Sequence, residues 1–170
     1  MRIVRKYPTL PWQRVWANLH LAGLSDKTKL KRYAAIQDIL PTNERLATIN
    51  LATTTTCSRC GTTDTLQHRI TECEEGAVIW NWTRARIAAI LRVEKKYVSE
   101  EWTLRPTFHF WPPQRHAAIV WMIAHLVVYR LQNQRRLSLT DYMDFLHRAR
   151  WKEYHRQTKR SVVGKYLDVL

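Results

Sequence analysis

Every cysteine in this sequence falls between positions 57 and 73, in the order Cys57-Ser58-Arg59-Cys60-Gly61, then His68, then Cys73. No other feature constrains the fold as tightly, because it can tie four points of the backbone to a single place. Two cysteines three positions apart in a tight turn can aim both thiolates at one ion. Gly61 supplies the left-handed backbone that such a turn asks for after its second ligand. Seven residues separate Cys60 from His68, and four separate His68 from Cys73. A set of three thiolates and one imidazole completes a tetrahedron around Zn²⁺ and leaves no open position, which marks a structural site rather than a catalytic one. We therefore expect one structural zinc ion held by Cys57, Cys60, His68 and Cys73. Two other readings stand beside it. The cysteines could be free thiols near an unrelated histidine. Cys57 and Cys60 could form a thioredoxin-like redox pair, though that motif belongs with a βαβ pattern absent here. An odd cysteine count argues against a disulfide framework. Three thiolates, a neutral imidazole and Zn²⁺ leave a net negative site, so its expected role is a clasp between the helices before and after it.

Around this segment the pattern is helical, and the expected fold class is all-α. At 170 residues with 45% hydrophobic content, the chain can bury a core without staples. Trp12, Val15, Trp16 and Leu19 recur at helical spacing after Leu10-Pro11 and make one apolar face. Ser25 reads as the next N-cap. The helix after it offers Leu30, Tyr33, Ala34 and Leu40 to the core and turns Lys27, Lys31 and Arg32 away. Pro41 stops it, and Thr42 starts a short helix with Leu46 and Ile49. A strongly apolar helix follows the cysteines from Glu75 to Arg92. Residues 94–112 read as a connection. Residues 113–136 form a long buried helix, and Ser138-Leu139-Thr140-Asp141 matches a capping pattern that opens a last helix to Arg160. The expected organisation is N-terminal helices plus the zinc segment over 1–93, the connection, and a C-terminal basic helical hairpin over 113–170.

Charge points to the partner. Lys and Arg number 28 against 14 acids, a formal net charge of +14. Such a field attracts polyanions, with RNA and DNA foremost. The excess is uneven: residues 1–56 carry a net +6, residues 57–104 none, and residues 105–170 a net +8. Phosphate contacts are thus expected on the two flanks. The first candidates are Arg148, Lys152, Arg156 and Lys159, which share one face of the last helix. Lys27, Lys31 and Arg32 form a second set. A solvated helix face is the ordinary meaning of such runs. Trp102 and Trp111, beside prolines, could stack on bases, although burial is the ordinary fate of an indole. His125, inside the apolar run 117–128, reads as a core histidine.

That apolar run is about 12 residues long, short of the roughly 18 a membrane span needs. No apolar leader follows Met1. The expectation is a soluble, intracellular protein with no membrane partner and no small-molecule substrate. Catalytic carboxylate patterns are also missing. Tyr142-Met143-Asp144-Phe145 lacks the second aspartate of a polymerase turn, and no acid cluster suggests a two-metal nuclease. The zinc-deaminase pattern is absent as well. An enzyme is not expected, with Glu72 beside Cys73 the one acid to examine.

These residues also carry a family likeness. Asp38-Ile39-Leu40-Pro41-Thr42-Asn43 with Arg45-Leu46, the Cys-x-x-Cys, Asp64-Thr65 with His68-Arg69, Cys73, and Ile79-Trp80-x-Trp82 resemble the zinc-binding region downstream of the reverse transcriptase in non-LTR (LINE-type) retrotransposons. Trp121-Met122-Ile123-Ala124-His125 and Val163-Gly164-Lys165-Tyr166-Leu167 resemble insect elements of that kind. The resemblance implies a CCHC zinc knuckle on Cys57, Cys60, His68 and Cys73 that helps hold RNA template or target DNA during target-primed reverse transcription. It implies a non-catalytic piece of a larger element protein, or a relic expressed alone, nuclear in location. A rival expectation is an interaction module that docks onto a reverse transcriptase core, with the charge merely accompanying it.

Overall fold

The computed structural model describes residues 2–20, 23–132 and 138–156. The chain is all-α, and among the described residues there is no strand, only an antiparallel bridge between Thr56 and Thr63. Seven helices are described: α1 Arg2–Lys6, α2 Trp12–Leu19, α3 Asp26–Ile36, α4 Asn43–Thr48, α5 Glu74–Leu91, α6 Pro113–Gln132 and α7 Leu139–Arg156. A π-helical turn, His68–Glu72, precedes α5, and two 3₁₀ turns, Lys95–Tyr97 and Glu100–Thr103, punctuate the connection. Short α1 was not expected from the sequence, nor were these turns.

α6 is the axis of the molecule. Every residue from His116 to Arg130 is buried. A helix apolar all round needs neighbours on every side, and α6 has them: α3, α5, α7 and the second 3₁₀ turn pack around it. Its longest contributions are Trp121, Met122, Ile123 and Leu126, which meet Ile79, Trp80 and Ile87 of α5 and Tyr142 and Leu146 of α7 in one continuous core. Each such large side chain stabilises the fold by about 1.5–3 kcal/mol. Residues on both sides of the connection therefore share one core. Ser138 caps α7 as its sequence suggests, accepting the Asp141 N–H at 3.0 Å. Tyr142, Phe145, Leu146 and Ala149 turn inward.

A polar clasp ties the connection to the helices. Asn18 of α2 is buried and donates to the carbonyls of Pro106 at 2.7 Å and Phe108 at 3.0 Å. Its Oδ1 lies 2.7 Å from His116 Nε2, and His116 Nδ1 accepts the Phe110 N–H. That pattern fixes the proton on Nε2, which donates to Asn18. Burial, then His109, hold His116 below its ordinary pKa, which suits the neutral ring.

α3 departs from the sequence expectation. Ser25 does cap it, accepting from the Thr28 N–H at 3.2 Å. The buried face, however, is Thr28, Arg32, Ala35 and Ile36, while Leu30 is 69% exposed and Tyr33 stands at the surface. The helix is rotated from the expected phase because Arg32 reaches inward. Its guanidinium donates to the Thr103 carbonyl of the second 3₁₀ turn. Burial lowers the Arg32 pKa to about 10, so it stays charged at neutral pH.

Candidate functional site

The four expected ligands converge. The Thr56–Thr63 bridge closes a small loop, within which the Cys57 N–H donates to the Thr62 carbonyl at 2.7 Å and the Gly61 N–H to the Cys57 carbonyl at 2.9 Å. Gly61 takes φ +74°, the left-handed conformation that closes the turn after Cys60. His68 opens the π-helical turn, and Cys73 stands at the N-cap of α5. The ligand atoms of Cys57, Cys60, His68 and Cys73 all lie within 4.8 Å of one another, and Cys60 Sγ is 3.2 Å from His68 Nε2. A tetrahedron with Zn–S near 2.3 Å needs S···S separations of roughly 3.8 Å. The set can hold one metal ion, and no disulfide competes for the thiols.

Electrostatics around the set favour a cation. Hydrogen bonding by the Thr62 side chain and backbone lowers the exposed Cys60 thiol below its ordinary pKa. Burial, then the neighbouring Cys57 charge, push Cys73 up to about 11. Three thiolates cannot share this space unaided, and a divalent ion is what reverses their mutual repulsion. His68 turns Nε2 toward Cys60 and Nδ1 toward Glu72, whose Oε2 is 3.9 Å away. That arrangement suits an imidazole ligand oriented by an outer carboxylate. Glu72 thus faces the distal nitrogen of the ring.

The loop is held from both sides. Asp64, buried, receives the Asn43 N–H of α4 at 2.8 Å and a two-pronged contact from Arg69, with Nε to Oδ1 at 2.7 Å. Burial opposes the Asp64 charge, but Arg69 and Asn43 outweigh it and keep the carboxyl below its ordinary pKa. Arg59 pairs with Glu75 in the first turn of α5. Arg130 of α6 donates from Nε to the Arg69 carbonyl at 2.8 Å, and it packs against Gly76, where no side chain intervenes. Leu66 and Ile70 carry the segment into the core.

The basic candidates divide. Arg148 and Lys152 are exposed on α7, and Lys27 is exposed in the first turn of α3. All three line one open groove of about 750 Å³, floored by His125 and Phe145. The N-cap Ser25 and Asp26 border it as well, with Asp26 in solvent beside Lys29 at 3.7 Å. Lys31 is half-buried outside this groove, and burial followed by Lys27 lowers its pKa. Arg32 is a correction: buried against Thr103, it cannot meet a phosphate. Arg156 ends α7 with its side chain undescribed, and Lys159 lies outside the described residues.

The aromatic candidates divide too. Trp102 is half-buried between Phe108 and Phe110, at 5.0 and 5.5 Å between ring centroids, so it seals the core. Trp111 is 79% exposed. His125 is a core histidine: Nδ1 donates to the Trp121 carbonyl at 2.9 Å and the ring stacks on Trp121 at 4.0 Å. Sequence reasoning missed its place at the groove floor, and missed the Arg130 link to the cysteine segment. Neither has a local signal, since each depends on residues far apart in the chain. Tyr142 is fully buried beside Thr83, as the sequence placed it in the core. Among the described residues no helix is long and apolar enough to cross a membrane. No protein-family model, curated protein or solved structure matches the chain.

Proposed function

We propose that the chain is a zinc-stabilised nucleic-acid-binding domain whose basic groove grips the phosphate backbone of RNA or DNA. The observation that carries the reading is the meeting of two distant basic segments. Lys27 of α3 and Arg148 and Lys152 of α7 are separated by most of the sequence yet line the same groove. The partial positive charge at the start of α3 adds to them. Each cation that meets a phosphate releases a condensed counterion, so affinity should fall steeply with salt. The even charge balance of residues 57–104 fits a division of labour. Zinc, when bound by Cys57, Cys60, His68 and Cys73, would supply a closed, non-reacting clasp. The chain's own residues do the binding.

The resemblance to the zinc-binding region of non-LTR retrotransposon proteins supplies the biological setting of this proposal: holding RNA template or target DNA in the nucleus for a reverse transcriptase. A docking-module reading is favoured by one observation, the outward Ile49 and Leu51 after α4, which are 53% and 72% exposed. Binding of metal-loaded protein to single-stranded RNA, single-stranded DNA and duplex DNA across a salt series decides between them. A steep salt dependence supports the nucleic-acid reading. No binding at physiological salt would overturn it in favour of docking.

A further inference from the structure

We infer that Trp151 is a base-stacking platform, so that the basic face of α7 takes single-stranded nucleic acid in preference to duplex. The inference rests on the nucleic-acid reading above and deepens it. Trp151 is 66% exposed, although burial is the ordinary fate of an indole. It stands three positions after Arg148 and one before Lys152, so an aromatic ring interrupts the cationic stripe. A second open hollow of about 610 Å³ is bordered on its α7 side by His147, Arg148, Arg150, Trp151 and Lys152, with no acid among these described residues. Arg148 and Lys152 line both this hollow and the groove shared with α3. They are one helical turn apart, about 6 Å along the axis. They therefore border two hollows, one shared with Lys27 of α3 and one that also has Trp151 on its edge.

That geometry matches a strand with its bases free. Phosphates seated on Arg148 and Lys152 leave their bases within reach of the Trp151 face, and every base has a π-face to offer. A duplex buries those faces in its own stack. Charge complementarity identifies the occupant: a wall of two arginines and a lysine, in a chain of net charge +14, selects a polyanion. Trp111 is more exposed still but lies at the start of α6, outside both grooves, and serves as the control.

The test uses the metal-loaded full chain and fluorescence anisotropy with oligouridylate, oligothymidylate and a blunt duplex, each over a salt series. Trp151→Ala should weaken single-strand binding by about 5- to 150-fold, the range one stacked base contributes. It should leave the salt slope and duplex affinity unchanged, because no charge is removed. Trp151→Phe should recover most of the loss, and Trp111→Ala should change nothing. Trp151→Ala binding single strands as tightly as wild type would overturn the stacking role, as would an equal loss on duplex. Wild-type protein that binds none of the three probes would overturn the nucleic-acid reading and this inference together.

Discussion

Cys60→Ser isolates the contribution of the metal from that of packing. Cys60 is the exposed member of the ligand set, so serine there removes a ligand and opens no cavity, whereas Cys73 is buried. Without the ion, the segment from Cys57 to Cys73 loses the tie that joins its two ends. The apolar side chains it delivers to the core are Leu66 and Ile70, 3% and 0% exposed. Losing both from the core costs about 3–6 kcal/mol, at about 1.5–3 kcal/mol for each large apolar side chain. A domain of this length shifts its melting midpoint by about 2–4 °C per kcal/mol. The expected drop is thus roughly 6–24 °C, accompanied by loss of the metal. The assay is thermal unfolding followed by circular dichroism, with metal content measured on the same sample. A Cys60→Ser protein that has lost the metal yet melts at the wild-type midpoint would refute the clasp.

Two further outcomes follow from the packing and the buried histidine. Gly76→Ala should lower the midpoint although alanine is the better helix former by about 1 kcal/mol. The added Cβ would stand 2.8 Å from Arg130 Nη2 and 3.1 and 3.2 Å from the Ile70 and Arg69 carbonyls, and such overpacking costs about 1–3 kcal/mol; a raised midpoint in a thermal melt would contradict the contact. His125→Phe should flatten the acid side of the stability profile. Burial holds the folded His125 pKa at about 4 against 6.5 for the free group, so the unfolded chain takes up a proton that the folded chain refuses. Stability is therefore full above pH 6.5 and falls as pH drops toward 4. Between pH 7 and pH 5 the phenylalanine variant should gain about 2 kcal/mol relative to wild type in denaturant titrations. A pH-independent difference would refute the buried neutral ring, and loss of metal in acid, common to both proteins, cancels from the comparison.

Much of the candidate site was legible because it is local. Cys57, Cys60, His68 and Cys73 lie on a short stretch of chain, and the geometry of a tight turn after Cys60 requires the left-handed Gly61 that the structure shows. The helices with strong apolar patterns were legible for the same reason. α2 buries Val15 and Leu19 on the face that Trp12 and Trp16 share, and α7 starts at its Ser138 cap. α3 was misread because its pattern is weak and its phase is decided elsewhere. Leu30 and Tyr33 look like core residues to a periodicity argument, yet the Thr103 carbonyl, far along the chain, draws Arg32 inward and turns Leu30 out. The shared groove was invisible for a related reason. Lys27, Arg148 and Lys152 were separate candidates in the sequence, and only the packing of α3 and α7 about α6 brings them together. The Asn18–His116 clasp likewise joins residues with no common local pattern.

The central claim is that this groove binds nucleic-acid phosphates. Its most direct test is the salt dependence of single-stranded RNA binding by a Lys27→Gln, Arg148→Gln, Lys152→Gln triple variant, with Arg32→Met as the control for a buried arginine. The account predicts that the slope of log affinity against log salt falls by about two units in the triple variant, about 0.7 per phosphate contact removed from a single strand. In the same series Arg32→Met should keep the wild-type slope. A triple variant with the wild-type slope and affinity would contradict the account.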